Sequence, residues 1–335
     1  MNSLERILAA VGFEKTDRVP VIPQIFGHAA ALCGMRLREY LQDGELLARC
    51  QLKALEHYGH DAVFALMDVG VETEEIGSSL QYSDDAYPYV KSFVLSNIGG
   101  LDSLSSPDPA KSGRMPELLK ANSILRKEVG DTALVVGCAL GPATLAIQLV
   151  GIENALYLAA DDPEAYSRVL DFAANVCITF GTAQIEAGAH LPMLFDPSAS
   201  PAVVPPGFYR RHILPRHQQV FSAFKQAGAV ANWLHIAGPA VGILRFYPEA
   251  GVDIANLDFC VSPSEAISRL PRTCLDGNIK PLSFVIDEPD AIAAESARLI
   301  DAFRDRGGFI LSSGCEIPPD ARPENISAMV QATRR

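Results

Sequence analysis

His235, in Trp-Leu-His-Ile-Ala-Gly, and Cys315, in Ser-Ser-Gly-Cys-Glu-Ile, are the two side chains best suited to act together. Imidazole and thiolate are soft-to-borderline donors suited to Zn2+, and a zinc ion lowers the pKa of a bound thiol until it is nucleophilic near neutral pH. Two donors fall short of the roughly three protein ligands of a catalytic zinc, and a separation of 80 residues is no spacing motif. The residue types leave two readings: a metal pair, or a structural cysteine beside a hydrogen-bonded histidine. The chain has no HExxH, no GxSxG, no Walker loop and no EF-hand loop. His57 and His60 straddle Gly59, a helix-stop signal, so they read as helix-end histidines.

Short apolar runs recur along the chain, each followed by a turn cluster and a longer amphipathic stretch, which is the pattern of βα units around a parallel sheet. Strands are expected at 19–26, 62–67, 133–139, 191–195, 229–236, 253–257, 273–276 and 309–312. Helices are expected at 37–58, 116–128, 163–187, 207–227, 239–247, 262–269, 288–306 and 324–333. Proline follows a polar cap at Pro163, Pro263 and Pro289, and glycine stops precede strands at Gly59, Gly188, Gly228, Gly251 and Gly307. Eight strands predict a closed (β/α)8 TIM barrel spanning 1–335 as one domain. A doubly wound sheet loses ground because no GxGxxG or GxxxxGK loop follows the early strands.

Such a barrel delivers chemistry to the C-terminal ends of its strands. The residues there are Gln24, His28, Asp68, Gly141, Asp196, His235, Asp258, Asn278 and Cys315. Asp68 is a substrate contact or a strand-end cap. Asp196 is read as catalytic, orienting a ligand or the His235 ring through its N–H, with an Asx turn as the bland alternative. Asn278 either faces the mouth as a substrate contact or fills a left-handed position beside Gly277. Trp233, the only tryptophan, is either core filling or an apolar wall for a flat ligand.

Composition bounds the partners. The 335 residues are 48% hydrophobic and 20% charged, which excludes a disordered chain, and a formal net charge of −12 repels phosphate backbones and anionic headgroups. Neither nucleic acid nor a membrane is expected. No run of about eighteen apolar residues occurs and the N-terminus is charged, so the location is expected to be cytoplasmic. Seven scattered cysteines without a CxxC pair argue for reduced thiols. The high apolar fraction fits a homodimer or a large barrel core equally well.

Several segments carry a resemblance: Arg-Val-Pro-Val-Ile-Pro at 18–23, Asp-Val-Gly-Val-Glu-Thr-Glu-Glu-Ile-Gly at 68–77, Gly-Pro-Ala-Thr-Leu-Ala at 141–146, the run 186–200, Leu-His-Ile-Ala-Gly at 234–238, Asp-Gly-Asn-Ile-Lys-Pro at 276–281, Ser-Ser-Gly-Cys-Glu-Ile-Pro-Pro at 312–319 and Pro-Glu-Asn-Ile at 323–326. With these, nearly the whole chain resembles the uroporphyrinogen decarboxylase superfamily, and most of all its methylcobamide:coenzyme M methyltransferase-like branch. The resemblance implies a TIM barrel and a zinc held by His-x-Cys on the fifth strand and a cysteine after the last. His235 and Cys315 fit that pattern, whereas Ala237 stands where the second cysteine belongs. The third donor then comes from Asp196, Asp258, Glu72 or Glu74, or the metal is weak or absent. The implied partners are a corrinoid protein carrying the methylcobamide and a small thiol or methylated molecule.

The decarboxylase branch uses an N-terminal arginine-rich segment for its polycarboxylate substrate and an aspartate at the second strand, where Asp68 falls. Here the arginine-rich segment is missing; Arg36 and Arg38 fall on or beside an expected helix. The expected activity is zinc- and corrinoid-dependent methyl transfer. The alternatives are a metal-free decarboxylase using Asp68 and a non-catalytic corrinoid- or tetrapyrrole-binding protein.

Overall fold

The computed structural model describes residues 1–95 and 98–334. Its strands are β1 (Val21–Ile22), β2 (Ala62–Ala65), β3 (Ser79–Gln81), β4 (Tyr89–Ser92), β5 (Leu134–Leu140), β6 (Leu191–Phe195), β7 (Trp233–His235), β8 (Ile254–Asn256), β9 (Cys274–Ile279) and β10 (Phe309–Ser313). Eight of them form one sheet in the order β1-β10-β9-β8-β7-β6-β5-β2, every pair parallel, while β3 and β4 pair antiparallel with each other. The last seam closes through Asp61, whose backbone N–H donates to Val21 O at 2.9 Å and whose carboxylate accepts from Val21 N at 2.7 Å. This is the expected TIM barrel.

The eight barrel strands are buried on both faces, as in β5, Leu-Val-Val-Gly-Cys-Ala-Leu, because helices cover the outside and side chains fill the inside. The proline-led helices begin at their polar caps: Asp162 accepts from Ala165 N before Pro163–Glu186, and Ser262 accepts from Glu265 N before Pro263–Arg269. Gly59 (φ 66°) and Gly251 (φ 84°) end their helices in the left-handed conformation that other residues avoid.

Several expectations differ in detail: the expected strand at 19–26 pairs only over Val21–Ile22, and the expected helix at 239–247 is two 3-10 turns, Ala240–Gly242 and Leu244–Phe246. The expected helix at 37–58 is two, Leu37–Tyr40 and Gly44–Tyr58, because the Asp43 carboxylate caps the second by accepting from Glu45 N and Leu46 N. The expected strand at 229–236 pairs only over Trp233–His235. The β3–β4 hairpin was not anticipated, since its short, largely exposed strands carry no clean alternation. Its connection carries Tyr87 to the barrel mouth. No single helix among the described residues is long and apolar enough to cross a membrane; Pro142–Val150 and Ile152–Asp161 reach that length and hydropathy only as a pair bent by 104°.

Candidate active site

A cavity of about 230 Å³ opens at the C-terminal ends of the strands. Phe26, Phe195, Leu66 and Met67 give it apolar walls, and His235, Ala237, Cys315, Glu316, Asp68 and Tyr87 bring the polar and small groups. Larger depressions lie elsewhere, one among outer helices near His57 and Glu324 and one by Arg18 and Phe309 at the opposite end of the barrel. The strand-end chamber is where the fold places chemistry.

His235 ends β7 and Cys315 follows β10, and their Nε2 and Sγ atoms stand 3.6 Å apart. The imidazole packs on Phe195, ring centroids 4.7 Å apart, and its Nδ1 has no hydrogen-bond partner among the described residues. Burial drops the His235 imidazole to about 4 and pushes the Cys315 thiol up to about 11. At neutral pH the pair is therefore a neutral imidazole beside a thiol.

A third metal donor does not join them. The Asp196 carboxylate accepts from Thr144 N and Oγ1, both at 2.7 Å, from Ala143 N at 3.3 Å and from His217 Nε2 at 2.8 Å. It caps the helix Pro142–Val150 and pairs with a buried histidine, so it is not the group that orients the His235 ring. Gly141 makes room for it, since a Cβ there would lie 2.3 Å from that of Asp196. Glu72 accepts from Leu140 N, Glu74 from Arg114 and Tyr82, and Asp258 from Gly238 N and Cys260 N. Among the described residues no three His, Cys, Asp or Glu side chains converge as a metal site.

Asp68 does line the cavity, but its carboxylate is held by the Arg114 guanidinium and by Gly70 N. Arg114 also bonds Glu74 and Leu41 O. Two residues expected at the mouth are not among those lining it. Trp233, two positions down β7, lies fully buried one layer deeper against Phe64, with ring centroids 6.3 Å apart, and fills the barrel. Asn278 donates to Asp258 O at 3.2 Å and Val261 O at 2.7 Å, tying the end of β9 to the loop after β8. Gln24 ties the end of β1 to Ser313 and Ile317, and His28 bonds Tyr58 Oη and Pro319 O.

Glu316 and Tyr87 escaped the sequence reading. Tyr87 Oη donates to Glu316 Oε1, which also accepts from Gly27 N at 3.2 Å; Glu316 Oε2 has no partner among the described residues. Burial pushes the Glu316 carboxyl up to about 7, against the pull of these two donors. The signal available was its place beside Cys315 in a strand-end turn.

The family model for uroporphyrinogen decarboxylase (URO-D) matches residues 2–335. The chain belongs to that family. This family member is 27% identical to the methylcobamide:CoM methyltransferase MtbA of Methanosarcina mazei over 98% of the chain and 97% of the relative. It is 28% identical to the methylcobamide:CoM methyltransferase MtaA of Methanosarcina barkeri over 98% and 96%, and 27% identical to the uroporphyrinogen decarboxylase of Streptomyces avermitilis over 89% and 83%. A solved methyltransferase from Methanosarcina mazei superposes with a TM-score of 0.91 at 27% identity, covering 100% of this chain and 98% of that one. A B12-independent methionine synthase from Shewanella sp. W3-18-1, at 12% identity, 89% coverage of both chains and a TM-score of 0.61, shares the fold. This member of the uroporphyrinogen decarboxylase family is an enzyme of the methyltransferase kind.

Proposed function

We propose that the enzyme moves a methyl group between a methylcobamide, delivered by a corrinoid protein, and a thiol or methylated small molecule held in the strand-end cavity. The observation that carries this reading is the chamber itself: small, largely apolar, shared by His235 and Cys315, and lined by no lysine or arginine among the described residues. Apolar walls exclude water from the reacting centre, and a fixed small molecule can meet a methyl group in line. The corrinoid is a co-substrate: when it gives the methyl, the Co–CH3 bond breaks with its electron pair on cobalt and the thiol releases its proton to solvent; when it takes the methyl, cobalt's pair forms the new bond and the leaving atom keeps the pair of the bond that breaks.

The expected zinc finds two donors, His235 and Cys315, and the alanine at 237 where a third would stand. These residues do not fit a three-donor ion, and no step is drawn through one. A decarboxylase acting on uroporphyrinogen is disfavoured by the same lining. Each carboxylate entering without a cation costs several kcal/mol, and Asp68 already has its arginine. The proposal keeps the cytoplasmic setting, where a thiol such as Cys315 stays reduced.

The test is a cobalamin absorbance assay of the purified enzyme with methylcobalamin and a panel of thiols, and with cob(I)alamin and methylated small molecules. Enzyme-dependent loss or formation of the methyl–cobalt spectrum supports the reading. Corrinoid binding without transfer to or from any compound would favour the non-catalytic alternative, and carbon dioxide release in its place would favour the decarboxylase.

A further inference from the structure

We propose that the small molecule taken by this cavity is a methylated onium cation, a quaternary ammonium or sulfonium, and not an anionic thiol. The inference rests on the methyl-transfer reading and names its substrate class.

Charge is the first argument. Two carboxyl groups, Asp68 and Glu316, line the chamber, and no lysine or arginine among the described residues does. Arg114 stands behind Asp68, but it is shared with Glu74 and Leu41 O, so its charge is spent within the protein. Among the described residues Glu316 has no cation; its Oε1 is fixed by the Tyr87 hydroxyl and Gly27 N, and its Oε2 has no partner there. An anionic ligand would enter an apolar space facing this uncompensated carboxyl, with no counter-charge to offset its lost hydration. A cation there meets one.

The walls point the same way. Phe26, Phe195 and Tyr87 line the chamber together with Leu66 and Met67. Aromatic rings beside a carboxyl are the surroundings in which soft, weakly hydrated methylonium groups bind.

The chemistry closes the argument. When cob(I)alamin attacks an onium methyl carbon, a Co–CH3 bond forms with cobalt's electron pair, and the C–N or C–S bond breaks with its pair on the leaving atom. The products are methyl–Co(III) and a neutral amine or sulfide. No proton moves and no thiolate has to be generated. A site with two donors and Ala237 in place of the third, ill suited to activate a thiol through zinc, lacks nothing this reaction needs.

Calorimetry at pH 8 with the whole enzyme tests the ligand class apart from turnover, using tetramethylammonium, ethanethiol and 2-mercaptoethanesulfonate as probes. Tetramethylammonium is expected to bind, and 2-mercaptoethanesulfonate not. Glu316→Gln is expected to weaken tetramethylammonium about tenfold, as the loss of one partly buried charge partner does. Phe195→Leu, a second variant should the first fail to fold, is expected to weaken it several-fold through the lost ring. No tetramethylammonium binding, equal or tighter binding of the sulfonate, or affinity for tetramethylammonium unchanged in folded Glu316→Gln and Phe195→Leu would each overturn the proposal. Tight cation binding with no methyl passing to cob(I)alamin would instead defeat the methyl-transfer reading and leave the ligand class standing.

Discussion

The Nε2 atom of His235 and the Sγ atom of Cys315 lie 3.6 Å apart although 80 residues separate them in the chain. Parallel strand order makes this meeting possible. β7 and β10 both point their C-terminal ends to one rim, and the short turn Ser313-Gly314-Cys315 bends the sulfur over the mouth, its Gly314 N–H donating to Ile279 O at 2.8 Å. A Cβ at Gly314 would stand 2.5 Å from Phe259 N, so the turn passes too close to the neighbouring loop for any side chain.

This pair without a third donor predicts loose metal binding. Ala237 shares the cavity with both residues, so Ala237→Cys supplies the missing sulfur. After dialysis against a mild chelator the wild-type protein is expected to keep well under one zinc per chain, and Ala237→Cys about one, as three protein ligands allow. Elemental analysis reads the result, and stoichiometric zinc in the dialysed wild type would contradict it.

Asp196 is predicted to hold structure, since its carboxylate joins the helix cap at Thr144 to buried His217. Asp196→Ala leaves those donors unsatisfied and is expected to cost about 3 kcal/mol in denaturant unfolding. Folded Asp196→Ala enzyme should lose less than tenfold in kcat/KM; a loss of a thousandfold at unchanged stability would restore a catalytic role.

The barrel seam predicts a larger loss. Buried Asp61 receives Arg6 at 2.8 Å, Arg18 at 2.8 Å and the Val21 N–H at 2.7 Å. Asp61→Ala leaves Arg18 without its carboxylate and Arg6 with Asp17 alone, at the one barrel junction among the described residues that lacks a ladder. Chemical denaturation should show a deficit of about 3–5 kcal/mol, and a deficit below about 1 kcal/mol would show that the seam is held otherwise.

Glu72 sets a pH dependence of stability. Burial holds its carboxyl up to about 7, whereas an unfolded glutamate ionises near 4.3. Between these values the folded chain keeps a proton that the unfolded chain has lost, so this residue's contribution is full below about 4.3 and falls as pH rises through 7. The slope approaches roughly 1.4 kcal/mol per pH unit for one proton. Glu72→Gln should lose that slope and gain stability relative to wild type at pH 8 compared with pH 5. Parallel stability profiles for the two proteins would contradict the assignment.

Repeated αβ junctions made the barrel legible, because a glycine stop and a buried apolar run are local signals that survive in any single chain. His235 and Cys315 were legible as strand-end residues once eight strands were counted. The roles of Asp196 and Asn278 were not, and core filling by Trp233 was one of two open readings, because each depends on a partner distant in sequence: His217 for the first, the Asp258 and Val261 carbonyls for the second, and Phe64 in the layer below for the third. Glu316 was hidden for the converse reason. A glutamate in a turn looks solvated until the hairpin after β3 is seen to bring Tyr87 onto it.

The central claim is methyl transfer in the chamber shared by His235 and Cys315, and stopped-flow absorbance with cob(I)alamin and a methylated donor tests it most directly. Wild-type enzyme is predicted to convert the Co(I) spectrum to that of methylcobalamin, and the folded His235→Ala, Cys315→Ala double variant to do so at least on the order of 100-fold more slowly, the scale of lost positioning at a reacting centre. Equal rates in the two proteins would contradict the account.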